Sequence, residues 1–119
     1  MSATAVLDLL DRSRESLLDA QHEAHTERRY QIAHLAALRA AAAVLAARSR
    51  PAAGGRSSIR GMVTVWDLIP ALAPELSEWS GVFARCSARR EDRISAREAD
   101  DLLRDAERFL ELVAHSLSH

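Results

Sequence analysis

Residues 28–48 read RRYQIAHLAALRAAAAVLAAR, and this stretch decides the fold. Between residues 30 and 47 the only polar side chains besides the hydroxyl of Tyr30 are those of Gln31, His34 and Arg39. Alanine and leucine are among the residues that cost least to hold in a helix, and a helix that is apolar on nearly every side lies in the middle of its bundle. The stretch therefore predicts a central helix, and its many alanines allow neighbouring helices to approach closely.

Amphipathic segments on both sides of this stretch predict the helices that surround it. Residues 3–22 place apolar side chains near one side of a helix and charged side chains around the other. Ser95 and Glu98 form a capping-box pattern, and a long amphipathic run follows them to about residue 117. We predict a first helix over residues 3–22 and a last helix that begins at Ser95.

A third, interrupted helical region precedes the last helix. Thr64 and Asp67 form another capping-box pattern. Pro70 has no amide hydrogen to donate, so we expect a kink or a break there, whereas Pro74 fits the first turn of a new helix. An apolar stripe then steps by three or four residues through Leu72, Leu76, Trp79, Phe83 and Cys86. The fold class predicted from these patterns is all-α.

Length and composition limit the class of protein. The 119 residues form one predicted domain, residues 1–119. The single cysteine, Cys86, excludes an internal disulfide and a multi-cysteine metal site. No stretch approaches the roughly 20 apolar residues of a membrane span, and the N-terminal segment lacks the apolar run of a secretory signal. We expect a cytoplasmic protein that does not bind membranes.

The charge is distributed unevenly along the chain. Between Glu27 and Asp67 there are seven arginines and no acidic residue, whereas residues 1–27 and residues 67–119 each carry a charge of −4, which leaves a net charge of −1. Such a distribution favours a phosphate-bearing partner, or attraction between the protein's own helices.

The basic segment contains a predicted loop at residues 49–62. Pro51 and the Gly54-Gly55 pair are incompatible with regular structure, so we expect this loop to be exposed and mobile. One interpretation is an RNA-binding patch, and the alternative is a solvated linker, since no aromatic side chains are interleaved for base stacking. The candidate RNA-binding residues are Arg48, Arg50, Arg56 and Arg60.

The histidine-rich segment does not match the spacing of known metal sites. His22 and His25 are three residues apart with Glu23 between them, whereas the zinc-protease helix has its histidines four apart. Di-iron bundles repeat a Glu-x-x-His pair on two helices, a pattern that this sequence lacks. Glycine-rich phosphate loops are also absent from the sequence. We predict no metal and no cofactor.

Two polar residues of the central helix need an explanation. His34 lies in its apolar stripe and is either a core histidine with a satisfied hydrogen bond or a general base or phosphate contact. Arg39 would leave an uncompensated charge if it were buried alone, which is strongly destabilising. We therefore expect Arg39 to pair with a carboxylate of the last helix, Asp105 or Glu111.

The last helix carries a second candidate pair. Arg108 and His115 are seven residues apart, which is nearly two helical turns, so their side chains point the same way. The alternative is a solvated face on which Glu111 and His115 form an ordinary pair four residues apart.

Three short segments of the chain resemble the HEPN superfamily: RYQIAHLAALRA at residues 29–40, APELSEW at 73–79 and READDLLRDA at 97–106. The resemblance extends over roughly residues 5–117, and within the superfamily it is to a small Ala/Arg-rich branch from high-GC bacteria. It implies a four- to five-helix, mostly up-and-down bundle that pairs as a homodimer.

The resemblance also implies a catalytic chemistry. Many HEPN proteins are metal-independent ribonucleases in which an arginine is followed by a histidine, with four to six residues between them. The arginine holds the scissile phosphate, and the histidine transfers a proton as the ribose 2′-hydroxyl attacks. Arg108 and His115 match this spacing on a late helix, where the family usually has it. Arg29 and His34 are the alternative pair, and Arg28 also lies within range of His34.

Three functions follow from the resemblance. The first is an intracellular HEPN module that binds RNA or a protein partner and is catalytically weak or inactive. The second is an active metal-independent endoribonuclease. The third is an antitoxin-like or structural partner of a nucleotidyltransferase or a DNA-repair protein.

Overall fold

The computed structural model describes residues 3–49, 64–89 and 93–118. Within these residues the chain forms a helical bundle without strands, and the predicted all-α class is confirmed. The predicted basic loop at residues 49–62 lies outside the described residues, except for Ser49. The helices are α1 (Ala3–His22), α2 (Thr26–Arg48), α3 (Val65–Leu72), α4 (Ser77–Ala88) and α5 (Ala96–Leu117).

Helix α2 is the centre of the bundle, as its sequence predicts. It packs against α1 and α5 along much of its length, and it also contacts α3 and α4. Six of its nine buried residues are alanines, so the neighbouring helices lie close to its backbone. The buried residues are Tyr30, Ala33, Ala36, Ala37, Ala40, Ala41, Ala43, Val44 and Leu45.

We expected no stretch to approach a membrane span, but by length and composition alone α2 is long and apolar enough to cross a membrane. In its most apolar 18-residue window, 44% of the residues are buried inside the bundle. The central helix of a bundle has the same composition as a membrane span, since both must be apolar on most sides.

The helix ends follow the capping patterns of the sequence. The hydroxyl of Ser95 accepts from the Glu98 amide at 3.0 Å, and the Glu98 carboxylate accepts from the Ser95 amide at 3.0 Å. Thr64 and Asp67 form the same reciprocal box at the start of α3. Helix α2 begins slightly earlier than the sequence predicts because His25 acts as its N-cap, with Nδ1 accepting from the Arg28 amide at 3.4 Å.

Pro70 lies inside α3, whereas we expected a kink or a break at that residue. The helix continues only to Leu72, and a 3₁₀ turn over Pro74–Leu76 then leads into α4. Pro74 opens this turn, where a missing amide hydrogen leaves no bond unmade. The interruption between the two short helices therefore follows Pro70 by two residues.

Four aromatic side chains join α3, α4 and α5. Phe83 lies at the centre, with its ring centroid 5.1 Å from those of Trp66 and Phe109 and 5.9 Å from that of Trp79. Phe83 and Phe109 are fully buried, and Trp66 is nearly so. This cluster, together with the alanine-rich surface of α2, forms the core.

The predicted pairing of Arg39 with Asp105 or Glu111 on α5 is wrong. The guanidinium of Arg39 donates to the Ser16 hydroxyl at 2.8 Å and to the Arg12 carbonyl at 3.5 Å, and both acceptors lie on α1. Arg39 is only partly buried, so solvent and these two neutral acceptors are enough to stabilise its charge without a carboxylate.

Candidate functional site

A cleft of about 300 Å³ lies between α2 and the C-terminal end of α4. Helix α2 forms one wall because Tyr30 and His34 are four residues apart and therefore project from the same side. The last turn of α4 and the residue that caps it form the other wall. Polar and titratable side chains converge here on a concave surface, as is typical of a binding site. The residues that line the cleft are Tyr30, Gln31, His34, Cys86, Ser87, Arg89 and Ile94.

His34 connects the two walls of the cleft. Its Nε2 lies 2.9 Å from the Ser87 hydroxyl, and the imidazole also bonds to the Phe83 backbone. Burial lowers the pKa of His34 below its ordinary value of 6.5, although the Phe83 bond acts in the opposite direction. The ring is therefore neutral at pH 7. If the ring N–H donates to the Phe83 backbone, Nε2 accepts a hydrogen bond from the Ser87 hydroxyl. A neutral imidazole of this kind has the protonation state of a general base.

Tyr30 and Cys86 lie next to each other in the lining of the cleft. Burial raises the pKa of Tyr30 above its ordinary value, and a hydrogen bond to the Cys86 thiol adds to this effect. The phenol therefore stays protonated across the physiological range and serves as a hydrogen-bonding group. Cys86 is only partly buried and contributes to the lining, whereas an apolar stripe residue is expected to be fully covered.

Arg89 borders the cleft and joins two helices. Its Nε and Nη2 donate to the two carboxylate oxygens of Glu98, each at 3.0 Å, and Nη2 also donates to the Arg93 carbonyl at 3.0 Å. This two-point contact with the guanidinium lowers the pKa of Glu98. The end of α4 is thus fastened to the capping box of α5 at the edge of the cleft.

The structure separates the two residues of the alternative catalytic pair. Arg29 Nε lies 3.2 Å from Asp100 Oδ1 on α5, at an angle that gives charge contact without a hydrogen bond, and Nη1 donates to the Glu23 carbonyl. His34 faces α4 instead. The arginine that shares a cleft with His34 is Arg89, which sequence reasoning missed because no local spacing relates the two residues.

The preferred pair, Arg108 and His115, lies on the solvent-exposed side of α5. Their α-carbons are about 10 Å apart along the helix axis, from a rise of about 1.5 Å per residue. Glu111 lies between them on the same side, 3.9 Å from the Arg108 guanidinium. Asp101 similarly contacts Arg97 at 3.9 Å and Arg104 at 3.3 Å. On this side of α5, arginines and carboxylates therefore lie in contact with one another.

Of the four candidate RNA-binding residues, only Arg48 lies among the described residues. Its Nη2 is 2.6 Å from Glu75, and Nη1 donates to the Leu72 carbonyl at 3.3 Å. This pair lowers the pKa of Glu75 from its ordinary value of 4.5 to about 2. Arg48 therefore ties the end of α2 to the turn before α4.

Acidification is expected to weaken the fold through Glu75. The folded state favours the ionised carboxylate, so this contribution to the free energy of unfolding is complete above pH 4.5 and disappears as the pH falls toward about 2. We expect Glu75→Gln to lose less stability between pH 5 and pH 3 than the native chain, measured by urea unfolding. The difference will be modest because the Glu75 side chain is 44% exposed and solvent screens the pair.

Glu111→Gln is the matched control for this experiment, because Glu111 is 73% exposed and its contact with arginine is longer, 3.9 Å. Its loss of stability on acidification should equal that of the native chain. Equal losses in the native chain and Glu75→Gln would contradict the assignment.

Metal-ligating side chains do not gather into a site in the part of the chain that the structure describes, where no group of three or more histidine, cysteine, aspartate or glutamate residues lies together.

Comparison with known proteins gives the family. No curated protein and no solved structure matches the chain. A family model described as SAV_6107-like HEPN matches residues 20–114, which is most of the sequence. The matched residues include α2, α3, α4 and nearly all of α5. The bundle, its central helix and this match together show that the chain belongs to the HEPN superfamily, as a member of the SAV_6107-like HEPN family.

Proposed function

We propose that this HEPN-domain protein acts in the cytoplasm as a protein-interaction module and does not cleave RNA. The proposal is carried by a comparison of two kinds of surface side chain, the arginines, many of which are already paired with carboxylates, and the leucines, some of which are exposed. Carboxylates of the same chain contact many of the described arginines, whereas three leucines are exposed to solvent. The arginines in such contacts include Arg12, Arg14, Arg29, Arg48, Arg89, Arg97, Arg104 and Arg108.

The apolar surface is concentrated on the first two helices. Leu7 is 60% exposed, Leu18 55% and Leu35 39%. Leu7 also borders an apolar groove of about 410 Å³ formed by the ends of α1, α2 and α5. An exposed apolar groove of this kind marks an interaction site in soluble proteins. The groove is lined by Ala3, Val6, Leu7, Leu10, Ala47 and Leu117.

The ion pairs disfavour RNA as the partner of the described surface. Binding a phosphate chain depends on arginines that neutralise phosphates and release counterions. An arginine that already contacts a carboxylate must give up that contact or share it. RNA binding through Arg50, Arg56 and Arg60, which lie outside the described residues, stays a prediction, as do an antitoxin-like role and a helper role beside a nucleotidyltransferase or a DNA-repair protein.

RNA assays test the proposal directly. In EDTA, the native chain is expected to leave a mixed-sequence RNA intact, and fluorescence anisotropy should detect no binding at about 0.15 M salt, where nonspecific contacts are weak. Arg108→Ala and His115→Ala should behave as the native chain does. Cleavage in EDTA that either substitution abolishes would overturn the proposal and establish Arg108 and His115 as the active site.

The second candidate is a ribonuclease that uses the cleft between α2 and α4. His34 favours it, because a neutral imidazole on a concave surface lies next to Arg89, which can bind a phosphate if it gives up its contact with Glu98. In this function Arg89 takes the place of Arg29. Cleavage in EDTA that is lost in His34→Gln and retained in His115→Ala would select this function, with circular dichroism as the check that each variant is folded.

A further inference from the structure

Ser87 and His34 form a pair with a chemistry of its own. The Ser87 hydroxyl lies 2.9 Å from His34 Nε2, which is close enough for the imidazole to take the proton of the hydroxyl. Ser87 is exposed in the last turn of α4, and His34 reaches it from α2 across the cleft. A hydroxyl next to a base is an activated nucleophile, and its exposed position in the lining of a cleft allows a substrate to reach it.

Other contacts hold the imidazole in place. The ring bonds to the backbone of Phe83, about one turn before Ser87, and its centroid lies 6.1 Å from that of the buried Trp66. A nucleophile, a base and a group that orients the base are the three parts of a catalytic triad, and here a backbone carbonyl takes the third place. His34 also faces the C-terminal end of α4, where the partial negative charge of the helix stabilises the imidazolium that forms when the proton is transferred.

Hydrogen-bond donors and an ion pair in the same lining indicate the kind of substrate. Burial raises the pKa of Tyr30, so its phenol keeps a proton to donate, and the carboxamide of Gln31 is exposed in the cleft. Such donors stabilise the oxygen that becomes negative when a hydroxyl attacks a carbonyl. Arg89 is paired with Glu98, which disfavours a substrate that depends on a strong positive charge. A cleft of about 300 Å³ with these groups suits a small, uncharged ester.

We propose that Ser87 is the nucleophile and His34 the general base of an acyl-transfer site that hydrolyses small, uncharged carboxylic esters. This activity goes beyond the protein-interaction function and does not depend on it.

The reaction has two balanced steps. The Ser87 oxygen attacks the carbonyl carbon while its proton passes to His34 Nε2, and the bond from that carbon to the alcohol oxygen then breaks as His34 returns the proton to the alcohol. Water next attacks the acyl group on Ser87 and gives a proton to His34. The bond to the Ser87 oxygen breaks, this oxygen recovers the proton, and the carboxylic acid leaves.

An alkyl fluorophosphonate tests the nucleophile, because it bonds to an activated serine with loss of fluoride. Mass spectrometry is expected to show one label per chain, and peptide mapping should place it on Ser87. Ser87→Ala should stay unlabelled, and His34→Gln should be labelled about 100-fold more slowly, as expected for loss of a general base. Ser49→Ala is the matched control, since Ser49 is an exposed serine at the end of α2 whose hydroxyl donates to the Ala46 carbonyl. It should be labelled as the native chain is.

Hydrolysis of p-nitrophenyl acetate tests turnover. The native chain is expected to hydrolyse this ester about tenfold or more faster than Ser87→Ala or His34→Gln. The rate of Ser87→Ala gives the background from exposed imidazoles such as those of His22 and His115. After an acid quench, the acetyl group should map to Ser87 and not to the neighbouring thiol of Cys86.

Three results would overturn the proposal: a native chain that the fluorophosphonate does not label at Ser87, equal labelling of the native chain and a folded His34→Gln, or an acetyl group that maps to Cys86. Circular dichroism checks the fold of each variant, and Ser87→Ala decides the matter if His34→Gln does not fold. These results are independent of the RNA assays. Labelling of Ser87 in a chain that ignores RNA supports both proposals, whereas labelling in a chain that cleaves RNA would keep the acyl-transfer site and remove the proposed function.

Discussion

Phe109→Ala is expected to lower the free energy of unfolding by about 3–5 kcal/mol, the range observed for large aromatic residues in protein cores. Phe109 is fully buried, and its ring centroid lies 5.1 Å from that of Phe83, 6.0 Å from that of Trp66 and 6.1 Å from that of Trp79. Removing the ring leaves a cavity that three aromatic neighbours on two other helices cannot fill by collapse. A domain of this size has roughly 5–15 kcal/mol of stability, so this one change removes a large part of it.

Urea unfolding followed by tryptophan fluorescence and circular dichroism measures the loss. Leu35→Ala is the control, since this residue is 39% exposed and should lose only about 0.5 kcal/mol. Phe109→Leu retains part of the volume and should fall between the two. A loss for Phe109→Ala that is no larger than the control would mean that the aromatic cluster is not the core of the bundle.

Ala40→Leu is expected to destabilise the protein by about 1–3 kcal/mol, even though it adds apolar volume and keeps a good helix former. Ala40 has no exposed surface and lies in α2 between closely packed neighbours. Three added carbon atoms must therefore separate the helices or take up strained rotamers. The same unfolding measurements apply.

Ala47→Leu is the matched control on the same helix, because Ala47 is exposed. It should be neutral within about 0.5 kcal/mol. If Ala40→Leu proved neutral or stabilising, the surface of α2 would be more loosely packed than the structure shows.

The sequence predicts the helices well because their signals are local. The alanine-rich run predicts that α2 is the central helix. The capping boxes at Thr64 and Ser95 predict the first residues of α3 and α5, each to within one turn. The start of α2 was less predictable, because His25 caps it through a ring nitrogen in a stretch that resembles a polar linker.

The partners of α2 could not be predicted from the sequence. A helix that is apolar on nearly all sides has no polar face to show which neighbour each side chain meets, so Arg39 was assigned to α5 although it contacts α1. His34 and Arg89 share a cleft only because the end of α4 crosses α2 near His34. No spacing along the chain encodes that crossing, which arises from the packing of the aromatic cluster.

Glu98 has two tasks in this bundle, since it accepts from the Ser95 amide at the start of α5 and from the guanidinium of Arg89 after α4. The two helices are therefore linked at this corner through space as well as through the polypeptide. A protease that cut the chain between residues 89 and 93 would leave two fragments that still elute together. The packing of α5 against α2 would hold these fragments together, and replacing Arg89 would remove only the contact at this corner.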